Sequence, residues 1–199
     1  DVPWGFYEIG LGMAGPVMMQ YATEEQKQRY LPPMAAGEEI WCQLFSEPSA
    51  GSDVAGLRSR TVQDGRDWII NGQKVWTSGA HFCDYGIIVV RHDPDVDKHA
   101  GMTFFFVDMK SPGIDIKPIK QITGGSSFNE VYFNDVRIPD SQRLGAVGDG
   151  WRVAITTLMN ERLAVGDANG ADAKEAFKWA QKQDDHGQPL IQNRAVRES

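Results

Sequence analysis

Trp68-Ile-Ile-Asn-Gly-Gln-Lys-Val-Trp-Thr-Ser78 decides the fold class of this chain. Trp68–Asn71 and Gln73–Ser78 are β-like runs, and Asn71-Gly72 separates them. Asn-Gly is a dipeptide that tight hairpin turns demand, because both central residues of such a turn take positive φ. Upstream, Asp64-Gly65 separates the run Arg58–Val62 from Trp68 in the same way. Further strand-like runs are Trp41–Phe45, Tyr85–Arg91, Met102–Asp108, Ile114–Pro118 and Glu130–Val136. Many short strands with this turn chemistry predict a small antiparallel barrel or sandwich over about Ile40–Pro139.

Helical patterns flank that region. Thr23-Glu-Glu-Gln26 is a capping box, in which the Thr23 hydroxyl takes the Gln26 N–H and the Gln26 amide reaches back. Two glutamates in the first turn suit the positive end of the helix dipole. Pro32-Pro33 denies further hydrogen bonds, so the helix is expected to stop near Tyr30 or Leu31. Gly10, Gly12 and Gly15 suggest close backbone packing or a broken helix. After Gly148-Asp149-Gly150 a proline-free stretch runs from Trp151 to about Lys182, with Trp151, Ala154, Leu158 and Val165 on one helical face. The order is α, β, α: an α+β chain with boundaries expected at 1–39, 40–147 and 148–199.

Composition narrows the function. The 199 residues carry 20 Lys and Arg against 27 Asp and Glu, a formal charge of −7 with no basic run, which argues against a nucleic-acid surface. No stretch reaches the roughly 18 apolar residues of a membrane span, and no secretory leader is visible at Asp1. Cys42 and Cys83 are too few for a disulfide framework and lack metal spacing, which suits a reducing, cytoplasmic setting. Asp1 and the closing Arg197-Glu-Ser199 suggest a piece of a longer protein.

Three constellations could carry chemistry. Phe45-Ser-Glu-Pro-Ser-Ala-Gly-Ser-Asp53 is a turn of small residues whose backbone N–H groups could cradle an anion such as pyrophosphate; an ordinary loop is the plainer reading. Trp76-Thr-Ser78 offers an indole for the face of a flat ring and hydroxyls for its edge; the plainer reading is a core tryptophan beside surface hydroxyls. Glu161 falls on the apolar face of the last helix, three residues from Leu158 and four from Val165. A carboxylate there must be paired or partly protonated, which describes either a general base with a raised pKa or a rim ion pair.

Taken in order, these stretches resemble the acyl-CoA dehydrogenase family. The match is carried by Trp41-Cys-Gln-Leu-Phe-Ser-Glu-Pro-Ser-Ala-Gly-Ser-Asp53, Trp68–Ser78 and Phe133-Asn-Asp-Val-Arg-Ile-Pro139. Gly148-Asp-Gly-Trp151, Asn160-Glu-Arg-Leu163, Gly10-Leu-Gly-Met-Ala-Gly15 and Thr23-Glu-Glu-Gln-Lys27 fit as well. The resemblance implies the end of an N-terminal helical domain, a whole middle β-domain and the start of a C-terminal helical bundle. It implies FAD held by Gln43, Phe45, Ser46, Gly51, Ser52, Trp76, Thr77 and Ser78, with Ser52 and Arg162 also near the acyl-CoA. The implied reaction makes a trans double bond between the α and β carbons of an acyl-CoA: a glutamate takes the α proton and the β hydrogen leaves as hydride to flavin. Electrons then pass to an electron-transfer flavoprotein. Some members place the base on the first long helix directly before an arginine, which here is Glu161 before Arg162.

The chain departs from the family pattern in places. Gln183 and His186-Gly187 stand where an arginine and phenylalanine-glycine usually meet a neighbouring subunit's FAD, which is the pattern of divergent, sometimes hetero-oligomeric members. Ser49 is more often glycine, and Met159 replaces an aspartate near the pantetheine arm. Other expectations are an acyl-CoA oxidase or flavin monooxygenase relative, or a non-catalytic subunit or fragment. The 199 residues alone are expected to show no turnover, and the whole protein is expected to be a homo- or hetero-oligomer.

Overall fold

The structure, a computed structural model, describes residue 5 and residues 7–166, 178–179, 181–182 and 189–190. The chain divides into two compact units, Asp1–Ala164 and Val165–Ser199. In the second, the Lys182 N–H donates to the Trp179 carbonyl at 3.0 Å and the Leu190 N–H to the Lys182 carbonyl at 2.8 Å. Gln183, His186 and Gly187 lie outside the described residues.

The first unit is built on an eight-stranded sheet: β1 Trp41–Leu44, β2 Arg60–Asp64, β3 Asp67–Ser78, β4 Tyr85–Arg91, β5 Met102–Asp108, β6 Ile114–Ile119, β7 Phe128–Pro139 and β8 Arg143–Leu144. The strands run in the order β6-β7-β3-β2-β4-β5-β8, with β1 beside β4. Most pairings are antiparallel, but β1 and β2 each meet β4 in parallel. All eight strands form one sheet that does not close, so barrel is only a loose description, and the sheet folds back so that β3 and β7 face β4 and β5. Gly86-Ile-Ile-Val-Val90 and Phe104-Phe-Phe106 show why. Ile87, Val89, Phe104 and Phe106 face a core shared with helices, whereas Ile88, Val90 and Phe105 face Trp68, Ile70, Val131 and Phe133 of β3 and β7. β4 and β5 are therefore buried on both faces, and unbroken apolar runs are what such strands require.

The helices are α1 Gly15–Tyr21, α2 Glu24–Ala36 and α3 Gly150–Gly166. A π-helical turn, Gly10–Ala14, precedes α1, and a Cβ at Gly12 would stand 2.6 Å from that of Ala164, so the glycines serve both expected purposes. The capping box is present, with Thr23 N–H to Gln26 Oε1 at 2.8 Å and Gln26 N–H to Thr23 Oγ1 at 3.2 Å. The helix does not stop at Leu31. It runs through Pro32 and Pro33 to Ala36, because Met34 is buried in the core and Gly37, at φ +73°, caps the end. α3 is described as far as Gly166, and most of the rest of the stretch expected to be helical, up to about Lys182, lies outside the described residues.

Asn71-Gly72 is not a hairpin turn. β3 continues through it, and the register slips there because β7 carries an extra residue. Asp135 takes φ +51° in that bulge, and its N–H and carboxylate pair with the Asn71 amide at 2.9 Å each. Glycine at 72 is required by close approach: a Cβ would sit 2.6 Å from Ser59 Cα, and φ is +150°. The true hairpin joins β2 to β3 with Asp64 opposite Asp67, so its central residues are Gly65 and Arg66, and only Gly65 has positive φ.

Among the described residues no helix is long and apolar enough to cross a membrane, and no group of side chains forms a metal site.

Candidate functional site

After Leu44 the chain leaves β1 and turns. The Glu47 N–H donates to the Ala50 carbonyl at 2.8 Å and the Ala50 N–H to the Glu47 carbonyl at 3.0 Å, so these two donors are taken by the turn itself. Gly51, Ser52 and Asp53 follow, exposed, and a Cβ at Gly51 would meet nothing within 4 Å. Phe45 points inward and packs edge-on against Phe104 in the core, which leaves only its backbone for a ligand.

The end of β3 passes alongside. The Val75 N–H donates to the Ser46 carbonyl at 2.9 Å, which brings the two sequence-predicted ligand segments together. A second bulge follows, in which Val75 and Trp76 both oppose the single residue Glu130. Trp76 takes φ +62°, a left-handed conformation that costs about 1–2 kcal/mol for a residue with a Cβ. The residue is 60% exposed, and among the described residues its one ring contact is a T-shaped one with Phe128. Strained backbone of this kind collects at functional sites. The bulge also sets the faces: Trp76 and Ser78 point outward, whereas Thr77 is buried and its hydroxyl oxygen has no partner among the described residues.

Two residues that hold this arrangement were not singled out from sequence. Lys74 is fully buried, and its ammonium donates to Glu47 Oε1 at 2.8 Å, the Val89 carbonyl at 2.9 Å and the Phe45 carbonyl at 3.1 Å. The Glu47 carboxylate also accepts the N–H groups of Arg58 at 2.6 Å and Ser59 at 3.0 Å. Burial pulls the Lys74 pKa down, against the Glu47 charge. Burial pushes Glu47 up, but the Lys74 charge and the N–H donors outweigh it, and the carboxyl ends below its ordinary value. A signal was available. Counting by twos from Trp68 and Ile70 places Lys74 on the inward face of β3, and a buried lysine demands a carboxylate.

Glu161 stands on α3, half-buried, and accepts a hydrogen bond from the Gln43 side-chain amide at 3.2 Å. The segment Gln43–Ser46 thus touches two other sequence-predicted regions, the end of β3 and the later half of α3. Arg162 is exposed and makes no ion pair or hydrogen bond among the described residues.

A cleft of about 700 Å³ opens beside Ser78, lined also by Ile9, Trp41, His81, Ser126 and Ser127. It is mostly apolar with a few hydroxyls, the lining of a small-molecule site. An exposed indole, an outward Ser78 and an open Gly51–Ser52 turn fit a flat ring with a polar, anionic tail. FAD is such a group.

Comparison with known proteins bears on what this site serves. Residues 2–38 match the sequence model of the acyl-CoA dehydrogenase N-terminal domain, 42–136 that of the middle domain and 148–199 that of the C-terminal domain. Acyl-CoA dehydrogenase FadE34 of Mycobacterium tuberculosis is 50% identical over 167 residues, which are 83% of this chain and 24% of that protein. The solved steroid acyl-CoA dehydrogenase Tcur3481-Tcur3483 is 32% identical, with a TM-score of 0.82 over 96% of this chain and 49% of its own. A glutaryl-CoA dehydrogenase from Mycobacterium smegmatis, solved in complex with FADH2, is 28% identical, with a TM-score of 0.79 over 98% of this chain and 50% of its own. The chain therefore spans half or less of the length of these relatives.

Proposed function

The chain belongs to the acyl-CoA dehydrogenase family, and from that premise we propose that it is the flavin- and thioester-facing part of an enzyme that oxidises an acyl-CoA to a trans-2-enoyl-CoA. The observation that carries this is a pair of hydrogen bonds at the end of β1, from the Val75 N–H beside Trp76 to the Ser46 carbonyl and from the Gln43 amide to Glu161.

Glu161 is the proposed base. Its carboxylate would take the α proton of the thioester, and the Gln43 amide would orient it for that transfer. Bound FAD would supply the acceptor for the hydride that leaves the β carbon. Trp76 would cover one face of the ring, Ser78 would meet its polar edge, and Ser46 with the backbone of Gln43 and Phe45 would bind its pyrimidine side. Gly51 and Ser52 would take the diphosphate, with Ser52 and Arg162 also toward the acyl-CoA. Thr77 would contribute through its backbone, since its side chain points inward. The acyl-CoA would enter along the cleft between Ser78 and Ser126.

The division at 1–39, 40–147 and 148–199 is part of this proposal, supported by the three family matches. So are an oligomeric whole protein, homomeric or heteromeric, electron delivery to an electron-transfer flavoprotein, and a cytoplasmic location. The relative named for steroids supports a bulky acyl group as a substrate class. The test is the absorption spectrum of the full-length protein before and after anaerobic addition of straight-chain, branched and steroid-acid CoA thioesters. Bleaching of a bound flavin by at least one of them is expected. A colourless full-length protein that takes up no FAD overturns the proposal.

A further inference from the structure

We infer that Lys74 and Glu47 are positioning residues for the flavin, a buried clamp that fixes the spacing between the Ser46–Ser52 turn and the Trp76–Ser78 strand end. The inference rests on the reading above, in which those two segments hold the ring.

The clamp is complete in itself. All three ammonium protons of Lys74 are used, two of them by the Phe45 carbonyl and the Glu47 carboxylate on the turn. The third goes to the Val89 carbonyl of β4, so the turn is tied to both β3 and the sheet centre. The remaining acceptor capacity of Glu47 fastens Arg58 and Ser59, where the chain re-enters the sheet after the turn. The segment 45–58 is thus held at its beginning and its end by one ion pair. The pair lies one residue before Val75, whose N–H meets the Ser46 carbonyl, and two before Trp76.

Simple packing does not ask for this chemistry. Buried ion pairs contribute little net stability relative to apolar residues of the same size, and removal of one partner leaves an uncompensated charge. An apolar residue at 74 would fill the same space, but the Phe45 and Val89 carbonyls and the Glu47 carboxylate would lose their donor. The ion pair adds direction: it fixes where the Phe45 carbonyl points, and with it the adjoining Ser46 peptide and the register of the turn against the Trp76 bulge.

The test uses the full-length protein. Lys74→Met, Glu47→Gln and the double variant are compared with Ile138→Ala, a core truncation remote from the turn. FAD affinity is read by fluorescence titration, and ring environment by the fine structure of the flavin absorption band and its circular dichroism. Each single clamp variant is expected to lose at least tenfold in FAD affinity and to alter the flavin spectrum. Ile138→Ala is expected to lower the melting temperature with affinity and spectrum intact. Clamp variants that lose only melting temperature, with wild-type FAD affinity and spectrum, overturn the inference. Should Lys74→Met not fold, Glu47→Gln, which keeps the side-chain volume and an acceptor, decides by the same readouts. A wild-type protein that binds no FAD overturns the functional proposal instead, so the two failures are distinguishable.

Discussion

The Gln43 side-chain amide on β1 donates to the Glu161 carboxylate on α3 at 3.2 Å, across 118 positions of sequence. A carboxylate held this way is aimed, because an amide donor fixes one oxygen and leaves the other for a substrate proton. If Glu161 is the base, Glu161→Gln in the full-length protein should slow flavin bleaching by about 10²–10⁴-fold, the usual range for a general base. FAD content should stay unchanged. Retained bleaching across the acyl-CoA panel would remove Glu161 from the chemistry.

Gln43 then acts through Glu161. Gln43→Leu keeps approximate size and removes the donor. A neutral hydrogen bond contributes about 0.5–1.5 kcal/mol, somewhat more to a charged acceptor, so a drop of roughly tenfold in kcat is expected. KM should move little. An equal loss in Glu161→Gln and in the Gln43→Leu/Glu161→Gln double variant would show that the two residues work as a unit. Additive losses would separate them.

Trp76 should display opposing effects on fold and ligand. Its φ of +62° is strained, and its ring is mostly exposed. Trp76→Gly removes the strain, about 1–2 kcal/mol, while glycine gives back about 0.5–1 kcal/mol in chain entropy. The apo protein should therefore melt within a few degrees of wild type, whereas FAD affinity should fall at least tenfold. Differential scanning calorimetry of the apo form and FAD titration read the two sides. A large loss of apo stability would mean that Trp76 is a packing residue.

Legibility in the sequence followed how local each signal was. The capping box at Thr23–Gln26 needs only four residues and was readable. The apolar runs of β4 and β5 announced burial, though not that helices cover one face and β3 with β7 the other. Asn71-Gly72 misled because the pair serves a bulge on β7, more than 60 residues away, and clearance for Ser59; the hairpin rule sees neither partner. Pro32-Pro33 misled because burial of Met34 and the Gly37 cap outweigh the lost hydrogen bonds. The proposed site rests on Trp76 and Glu161, whose chemistry is conspicuous in the sequence, and on Ser46, which the family resemblance points to. Lys74 and Glu47 are each ordinary until the fold places them face to face, and Gln43, expected only at the flavin, donates to Glu161.

Gly72 offers a direct check on that corrected strand. Gly72→Ala drives a methyl into Ser59 at an unfavourable φ, so a loss of about 2–4 kcal/mol is expected, comparable to core overpacking plus backbone strain. Ser59→Gly removes the side chain that stands in the way. The double variant should regain part of the loss in urea unfolding, although the Ser59 Cα still crowds the site. No recovery at all would place the penalty in the backbone angle and the contact with the Ser59 Cα rather than in the Ser59 side chain.

Acid should act on the clamp before it acts on the core. Glu47 has a folded pKa below its ordinary value, as do Asp84, where Lys110 and the Ile40 N–H outweigh burial, and Asp140, held down by Arg143. The native state therefore binds fewer protons than the unfolded chain between the folded and unfolded values. By linkage, the stability these groups contribute is complete above the unfolded carboxylate range, near pH 4–4.5, and is lost as pH falls through the folded values. Glu47 is the least exposed of the three and should carry the largest share. Unfolding free energies of wild type and Glu47→Gln, measured from pH 7 down to pH 3, should differ most at pH 7 and converge at the acid end. Parallel curves would show that Glu47 is not the group whose protonation destabilises the fold.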